Sequence, residues 1–348
     1  MVIDCLSGLV RQMVGRTQNM SRYVVTGATG FTGGALARRL RDDGHEVIAL
    51  VRPTSQTKAL EEMGVECIAL DLQDATALAK VFANANITAI FHIAAAYRTE
   101  LADESEFFAV NVEATRTLLQ AAKDANIPRF VHCSTVGVQG EITEPPATEE
   151  YRMNPGDHYQ ESKLQGERVA LEFAKQGLGV SVVRPVGIYG PGDTRFLKLY
   201  KAIGKRVFLM IGNGKTLYHL TYIDDLVDGM LLAASHQDAI GEVFTLCGPE
   251  YTDLNELVRR IALVMNKPAP SLRIPAWPVV WAAHVCDWIC KRIGVQAPLY
   301  PRRVEFFLLD RAFTEAKARA LIGYHPRVRL DTGLRRTFEW YEQQGLLK

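Results

Sequence analysis

The chain has 348 residues, 48% hydrophobic and 23% charged, with a formal net charge of +1. That balance belongs to an ordinary globular protein with a sizeable core and excludes a disordered chain. It also argues against nucleic acid as a partner, because no dense Lys/Arg cluster occurs.

Residues 1–19 mix apolar and basic positions without a small-residue cleavage site. They are set apart as a leader, an upstream start or a short amphipathic helix rather than a cleaved signal. No uninterrupted apolar run reaches the ~20 residues of a bilayer-crossing helix, so no transmembrane span is expected. Six cysteines are scattered through the chain. They read as reduced thiols in the cytoplasm. Cys286 and Cys290 lie one helical turn apart, but no further Cys/His pair completes a zinc site, and no metal is expected.

From Met20 onward, short apolar runs alternate with helical patterns. Tyr23–Thr26, Glu46–Val51, Glu66–Leu70, Ala89–Ile93, Phe130–Cys133 and Val180–Arg184 read as buried strands, with helices between them. This rhythm predicts an α/β fold, a doubly wound parallel sheet over residues 20–191. From about Gly192 the elements become shorter and proline punctuates them. Residues 192–348 are expected to form mainly a smaller α+β lobe that binds substrate, with some segments returning to the core.

The first strand runs into Thr26-Gly27-Ala28-Thr29-Gly30-Phe31-Thr32-Gly33 and then a helix. Gly27 permits a tight turn, Gly30 lets backbone approach a pyrophosphate, and Gly33 lets the helix pack close. The helix N-terminus offers free N–H groups and positive dipole to phosphates. Strand–turn–helix in this order points to a dinucleotide. The second strand ends in Arg52, where an NAD-selective site usually carries an acid, and Ser55 and Lys58 follow. A cation there suits a 2′-phosphate, so NADP(H) is favoured over NAD(H). Asp71 and Leu72, after the third strand, are placed to meet the adenine. Ala94 and Ala95, after the fourth, stay small where the cofactor would pass.

The fifth strand ends in Ser134-Thr135, and Tyr159-Gln160-Glu161-Ser162-Lys163 opens the next long helix. A spacing of four puts Tyr159 and Lys163 on one helical face. A free phenol titrates near 10, too high for base chemistry at neutral pH. A nearby ammonium and a cationic nicotinamide stabilise the phenolate. Thr135 would hold the substrate oxygen.

Together with DLQD, FHIAAAYR, NVEATRTLL, VRPVGIYGPGD and YIDDLVDG, these motifs resemble the extended short-chain dehydrogenase/reductases from Arg22 to about Gly345. The resemblance implies a Rossmann sheet, a supporting polar role for Asn111, Lys163 on the nicotinamide ribose, and Pro185-Val186 against the nicotinamide. It also implies a homodimer through helices 112–125 and 161–175. Sugar-nucleotide epimerases and dehydratases share the scaffold, but there an Arg-Asp pair commonly clamps the diphosphate where this chain has Tyr218-His219. A tyrosine cannot neutralise a diphosphate as a guanidinium does, which leaves Arg195 or Lys198 as the candidate substitutes. The departures are similar to the dihydroflavonol 4-reductase and 3β-hydroxysteroid dehydrogenase-like branch.

The expected activity is therefore hydride transfer between a nicotinamide and an apolar, polycyclic secondary alcohol or ketone. A nucleotide-sugar epimerase or dehydratase is the alternative, and a non-catalytic NADP(H) sensor a further one. Tyr97, Tyr218, His219 and Trp281 are candidate substrate contacts. Residues 276–294 carry Trp277, Trp281 and Trp288 near one helical face. Three readings stand for that segment: a packed helix, a wall of an apolar pocket, or a peripheral membrane contact.

Overall fold

The computed structural model describes residues 20–83, 85–97, 104–295, 297–299 and 301–347. The leader 1–19 therefore lies outside the described residues. In chain order the elements are β1 (Arg22–Thr26), α1 (Phe31–Asp42), β2 (Glu46–Val51), α2 (Lys58–Glu61), β3 (Glu66–Ala69), α3 (Ala75–Phe82) and β4 (Ile87–His92). Then come α4 (Glu104–Phe108), a π-helical turn (Ala109–Glu113), α5 (Ala114–Asp124), β5 (Phe130–Cys133), α6 (His158–Lys175), β6 (Val180–Pro185) and β7 (Gly187–Tyr189). The remainder comprises α7 (Leu197–Gly204), β8 (Met210–Ile211), β9 (Leu217–Tyr222), α8 (Ile223–Ser235), β10 (Val243–Leu246), β11 (Tyr251–Asp253), α9 (Leu254–Val264) and β12 (Arg273–Ile274). Last are α10 (Ala276–Ile293), α11 (Pro301–Glu305), α12 (Ala316–Ile322) and α13 (Leu330–Gln343).

The main sheet has seven strands in the order β10-β6-β5-β4-β1-β2-β3. Every pairing in it is parallel. Crossovers on both sides of β1 put helices on both faces, and strands buried on both faces read as largely apolar runs. All six residues of β6 are buried, its polar members Ser181 and Arg184 included. Order reverses between β1 and β4, the crevice where an open α/β sheet takes its ligand.

Each strand predicted over residues 20–191 is present. The fourth runs two residues earlier than its apolar run suggests, and a side chain explains its end. Thr26 Oγ1 accepts the N–H of both Ile93 and Ala94 at 3.1 Å, taking those donors out of the ladder after His92. In the C-terminal half, β10 returns to the main sheet beside β6, and α8 packs on β6 and α1. A three-stranded sheet, β11-β9-β7, and a two-stranded one, β12-β8, build the rest of the lobe.

Candidate active site

The glycine turn is shaped by contact rather than by composition. Gly27 sits at φ +72°, and a Cβ on it would come 2.8 Å from Ala94 N. A Cβ on Gly33 would come 2.3 Å from the Gly27 carbonyl oxygen. Only hydrogen fits at either position, so β1, α1 and the end of β4 close on one another. No side chain caps α1 at Gly30, and no acid lies in its first turn, which contains Phe31, Thr32 and Gly33. The N-terminal N–H groups and the dipole there are left for an anion. Thr29 is exposed on the turn. Phe31 is held under Arg195, whose guanidinium lies 5.4 Å from the ring centre.

Around this turn lie the other predicted cofactor residues. Arg52 is exposed just past β2, and its side chain has no hydrogen bond or ion pair among the described residues. Asp71 Oδ1 accepts the Gln73 N–H at 2.9 Å, and Leu72 is half-buried against the core. Ala94 and Ala95 are half-buried past β4. Pro185 ends β6 opposite Leu246. Val186 is 5% exposed in a small cluster with Val136, Ile142 and Phe313.

Asn111 ties three elements together. Its Oδ1 accepts the Ala96 N–H at 2.8 Å, and its Nδ2 donates to Ala96 O at 3.2 Å and Ser162 Oγ at 2.9 Å. Ser162 Oγ donates in turn to the carbonyl of Tyr159 at 2.8 Å. The π-helical turn carrying Asn111 presses so closely on α6 that a Cβ on Gly166 would lie 2.3 Å from Asn111 O. Such a bulge turns a side chain out of the helical register.

A second buried chain supports the first. Thr115 Oγ1 donates to Asn111 O at 2.9 Å and meets His92 Nε2 at 2.9 Å, while His92 Nδ1 meets Thr26 Oγ1 at 2.8 Å. Thr26 already accepts two backbone N–H groups, and Thr115 spends its proton on Asn111. One neutral tautomer satisfies every member: Nε2 carries the proton and Nδ1 accepts. Burial holds His92 in that neutral form, its pKa lowered to about 3, with the Lys163 charge adding to the shift.

At the site's edge, Asp157 caps α6 by accepting the Gln160 N–H at 2.8 Å. Thr135 Oγ1 accepts the Gly137 N–H at 3.1 Å, which leaves its own proton to donate. Gly137 packs against Gln160, which brings the Thr135 turn to the start of α6. Tyr97 stands edge-on to Tyr159, ring centres 5.0 Å apart.

Lys163 is 2% exposed, and its ammonium has no hydrogen-bond partner among the described residues. Burial pushes its pKa down, against the raising effects of Cys133 and Glu167. Cys133 is itself driven up to about 11 by burial, so at neutral pH it is a thiol and carries no countercharge. Glu167, one turn along α6, is engaged by Arg184 Nε at 3.0 Å and Nη2 at 2.5 Å. The buried ammonium is therefore undercompensated within the fold.

Two predicted substrate contacts are not brought to this site. His219 is 3% exposed, its Nε2 donating to Gly248 O at 2.9 Å and its Nδ1 accepting from Phe313 N at 3.4 Å. Both nitrogens are used within the fold, so the residue offers substrate nothing. Trp281 stands 67% exposed on the outer side of α10, because Ala283 and Cys290 form the helix's buried side. Tyr218 is half-buried, edge-on to Phe306 at 5.0 Å, and its ring edge lies 3.3 Å from where a Cβ on Gly187 would stand.

Sequence reasoning missed Ser162, Gly166 and the Arg184–Glu167 pair. A glycine inside a helix and an arginine in a mainly apolar strand were signals of close approach and of a buried ion pair.

The sequence profile of the NAD dependent epimerase/dehydratase family matches residues 23–247. The chain belongs to that family. Among its relatives is the 3 beta-hydroxysteroid dehydrogenase/Delta 5-->4-isomerase of Mycobacterium tuberculosis, 32% identical over 93% of this chain and 91% of the relative. The sterol-4-alpha-carboxylate 3-dehydrogenase, decarboxylating, of Mus musculus is 28% identical, covering 91% of this chain and 90% of its own. The crystal structure of gox2253 superposes with a TM-score of 0.79 at 28% identity, over 94% of this chain and all of the other. The NAD-bound UDP-glucuronic acid 4-epimerase of Bacillus cereus reaches 0.74 at 23% identity over 94% of this chain, a likeness of fold alone.

As a member of this family the chain binds a nicotinamide dinucleotide, and its residues fit one. The uncapped α1 N-terminus offers N–H groups to an anion, the turn at Gly27 closes against Ala94, and the Lys163 ammonium is buried without a hydrogen bond among the described residues.

Proposed function

We propose that the protein transfers hydride between a nicotinamide and the carbinol carbon of an apolar, polycyclic secondary alcohol or ketone. The observation that carries this reading is the position where sugar-nucleotide enzymes of the fold hold an arginine clamp. Here Tyr218 packs on Phe306, and His219 is spent on Gly248 and Phe313. Arg195 is no substitute clamp, since its Nε donates to Asp193 at 2.6 Å and its Nη2 to Ile188 O at 2.8 Å. A diphosphate would find no free guanidinium there, only the exposed Lys198 ammonium as a point charge, whereas a ring system would meet aromatic edges. The relatives named as hydroxysteroid and sterol dehydrogenases support the same substrate class.

When bound, the nicotinamide supplies or receives the hydride. Tyr159 exchanges the proton with the substrate oxygen, and Lys163 stabilises its phenolate while holding the nicotinamide ribose. Thr135 donates its free proton to the same oxygen. Asn111 and Ser162 fix the backbone of Tyr159. NADP(H) is the preferred form, because Arg52 is exposed and unengaged where a 2′-phosphate would lie. Asp71 and Leu72 flank the adenine.

Pairing of α5 and α6 across a two-fold axis belongs to the same reading, as does a cytoplasmic location, in keeping with five free thiols among the described residues. Sedimentation tests the pairing. Turnover of a polycyclic ketone with NADPH, set beside nucleotide-sugars under the same conditions, tests the activity.

A further inference from the structure

We propose that Arg195, on the loop after β7, is a ligand of the cofactor's pyrophosphate, working together with the N-terminus of α1. A dinucleotide's pyrophosphate is doubly anionic, whereas a helix N-terminus supplies only about half a positive charge. Residues 26–34 contain no Lys, Arg or His. The glycine turn therefore offers backbone N–H groups and dipole, and leaves much of the charge for a side chain from elsewhere in the chain.

The loop of residues 190–196 brings one. It connects β7 to α7 and lies on Phe31, the first residue of α1. Gly192 is at φ +99°, and a Cβ there would come 3.3 Å from Phe31 Cδ2. The Arg195 guanidinium lies 5.4 Å from the centre of the same ring. The fold holds that guanidinium in place. Asp193 is 1% exposed, and its Oδ1 accepts the Arg195 backbone N–H at 3.1 Å and Nε–H at 2.6 Å. Its Oδ2 accepts the Phe196 N–H at 3.4 Å, and Arg195 Nη2 donates to Ile188 O at 2.8 Å. Nη1 has no hydrogen bond among the described residues, and the side chain stays 38% exposed.

One free nitrogen cannot grip a diphosphate bidentately, so Arg195 alone makes no clamp for a sugar nucleotide. Beside the α1 N-terminus it has only to add a charge-assisted N–H to a phosphate group that the helix already attracts. Asp193 offsets part of the cation's charge, yet it also fixes the side chain, so little rotamer freedom is lost on binding. The same loop leads into α7, which packs on α9. A pyrophosphate held by Arg195 would therefore join the glycine turn to the C-terminal half. The assignment rests on dinucleotide binding and is independent of the proposed substrate class.

Titration calorimetry of the full chain with ADP-ribose, which keeps the pyrophosphate but lacks the nicotinamide, tests the assignment. Arg195→Met should bind it about tenfold more weakly, the loss of one charge-assisted hydrogen bond. NADH and NADPH should lose affinity by the same factor, and Arg195→Lys should recover part of it. Raising salt should weaken ADP-ribose binding less in Arg195→Met than in the unmodified protein. In the unmodified protein, ADP-ribose should slow amide exchange in residues 190–196 as well as 27–34, a readout that needs no variant. Affinity of Arg195→Met within about twofold of the unmodified protein overturns the proposal. So do parallel salt curves, which would make Arg195 merely structural, and protection confined to the glycine turn. Weakened binding of uridine diphosphate with ADP-ribose binding intact would hand Arg195 to a substrate diphosphate and overturn it too. Lack of polycyclic ketone turnover, with the ADP-ribose results as expected, would sink the substrate reading and leave this assignment standing.

Discussion

The ring of Tyr97 meets that of Tyr159 edge-on at 5.0 Å, so the residue at the mouth of β4 borders the proposed proton donor. Such a contact contributes ~0.5–1.5 kcal/mol. Tyr97→Phe keeps the ring and should leave turnover within about twofold. Tyr97→Ala should lower kcat/KM for a ring ketone up to roughly tenfold, read by steady-state kinetics. Equal kinetics for the two variants would remove Tyr97 from the site.

Ser162 joins Asn111 to the backbone of Tyr159. Ser162→Ala leaves a buried amide donor short of a partner, at a cost of ~1–3 kcal/mol. Denaturant unfolding should show that loss. If the network positions Tyr159, kcat should fall with little change in cofactor affinity. A stability loss with kcat intact would make the network merely structural.

The Arg184–Glu167 pair is 3% exposed on both sides and fastens α6 to β6. Removing one partner strands a buried charge, so Arg184→Met should destabilise by ~3–5 kcal/mol, and adding Glu167→Leu should restore most of it. Thermal unfolding of the single and double variants decides; a double variant no more stable than the single would contradict the account.

Much of this was legible in the chain. The strand positions followed from alternating apolar runs, and the glycine turn from its place between strand and helix. Where the reading stopped, the reason is physical. Helical periodicity put three tryptophans on one face of residues 276–294 but carried no sign of which face packs inward. His219 looked available because hydrogen bonds to Gly248 and Phe313 come from distant segments. The π-helical turn at Asn111 exists because of tertiary contact with Gly166, to which local propensity is blind.

His92 and His132 are both buried and neutral, with pKa lowered to about 3 for His92 and well below its ordinary value for His132. Below pH ~6.5 the unfolded chain takes up protons that the folded one refuses, so stability falls as pH drops from that point towards the folded values. Each histidine contributes a slope of ~1.4 kcal/mol per pH unit across its window. Neither ring nitrogen of His132 has a hydrogen-bond partner among the described residues. His132→Leu should therefore remove about one proton's worth of acid sensitivity without a large loss at neutral pH. Chemical denaturation across pH 4–7, a range set by those histidine values, measures the slope, and an unchanged one would contradict the neutral assignment.

The central claim is net hydride transfer with Tyr159 as the proton carrier, and nicotinamide absorbance during turnover of a polycyclic ketone tests it most directly. The account predicts that NADPH is consumed one for one with ketone. Tyr159→Phe should slow the reaction by ~10²–10⁴-fold with cofactor affinity nearly unchanged. A nucleotide-sugar turned over with no net change in nicotinamide, or a Tyr159→Phe variant keeping more than about a tenth of the activity, would contradict it.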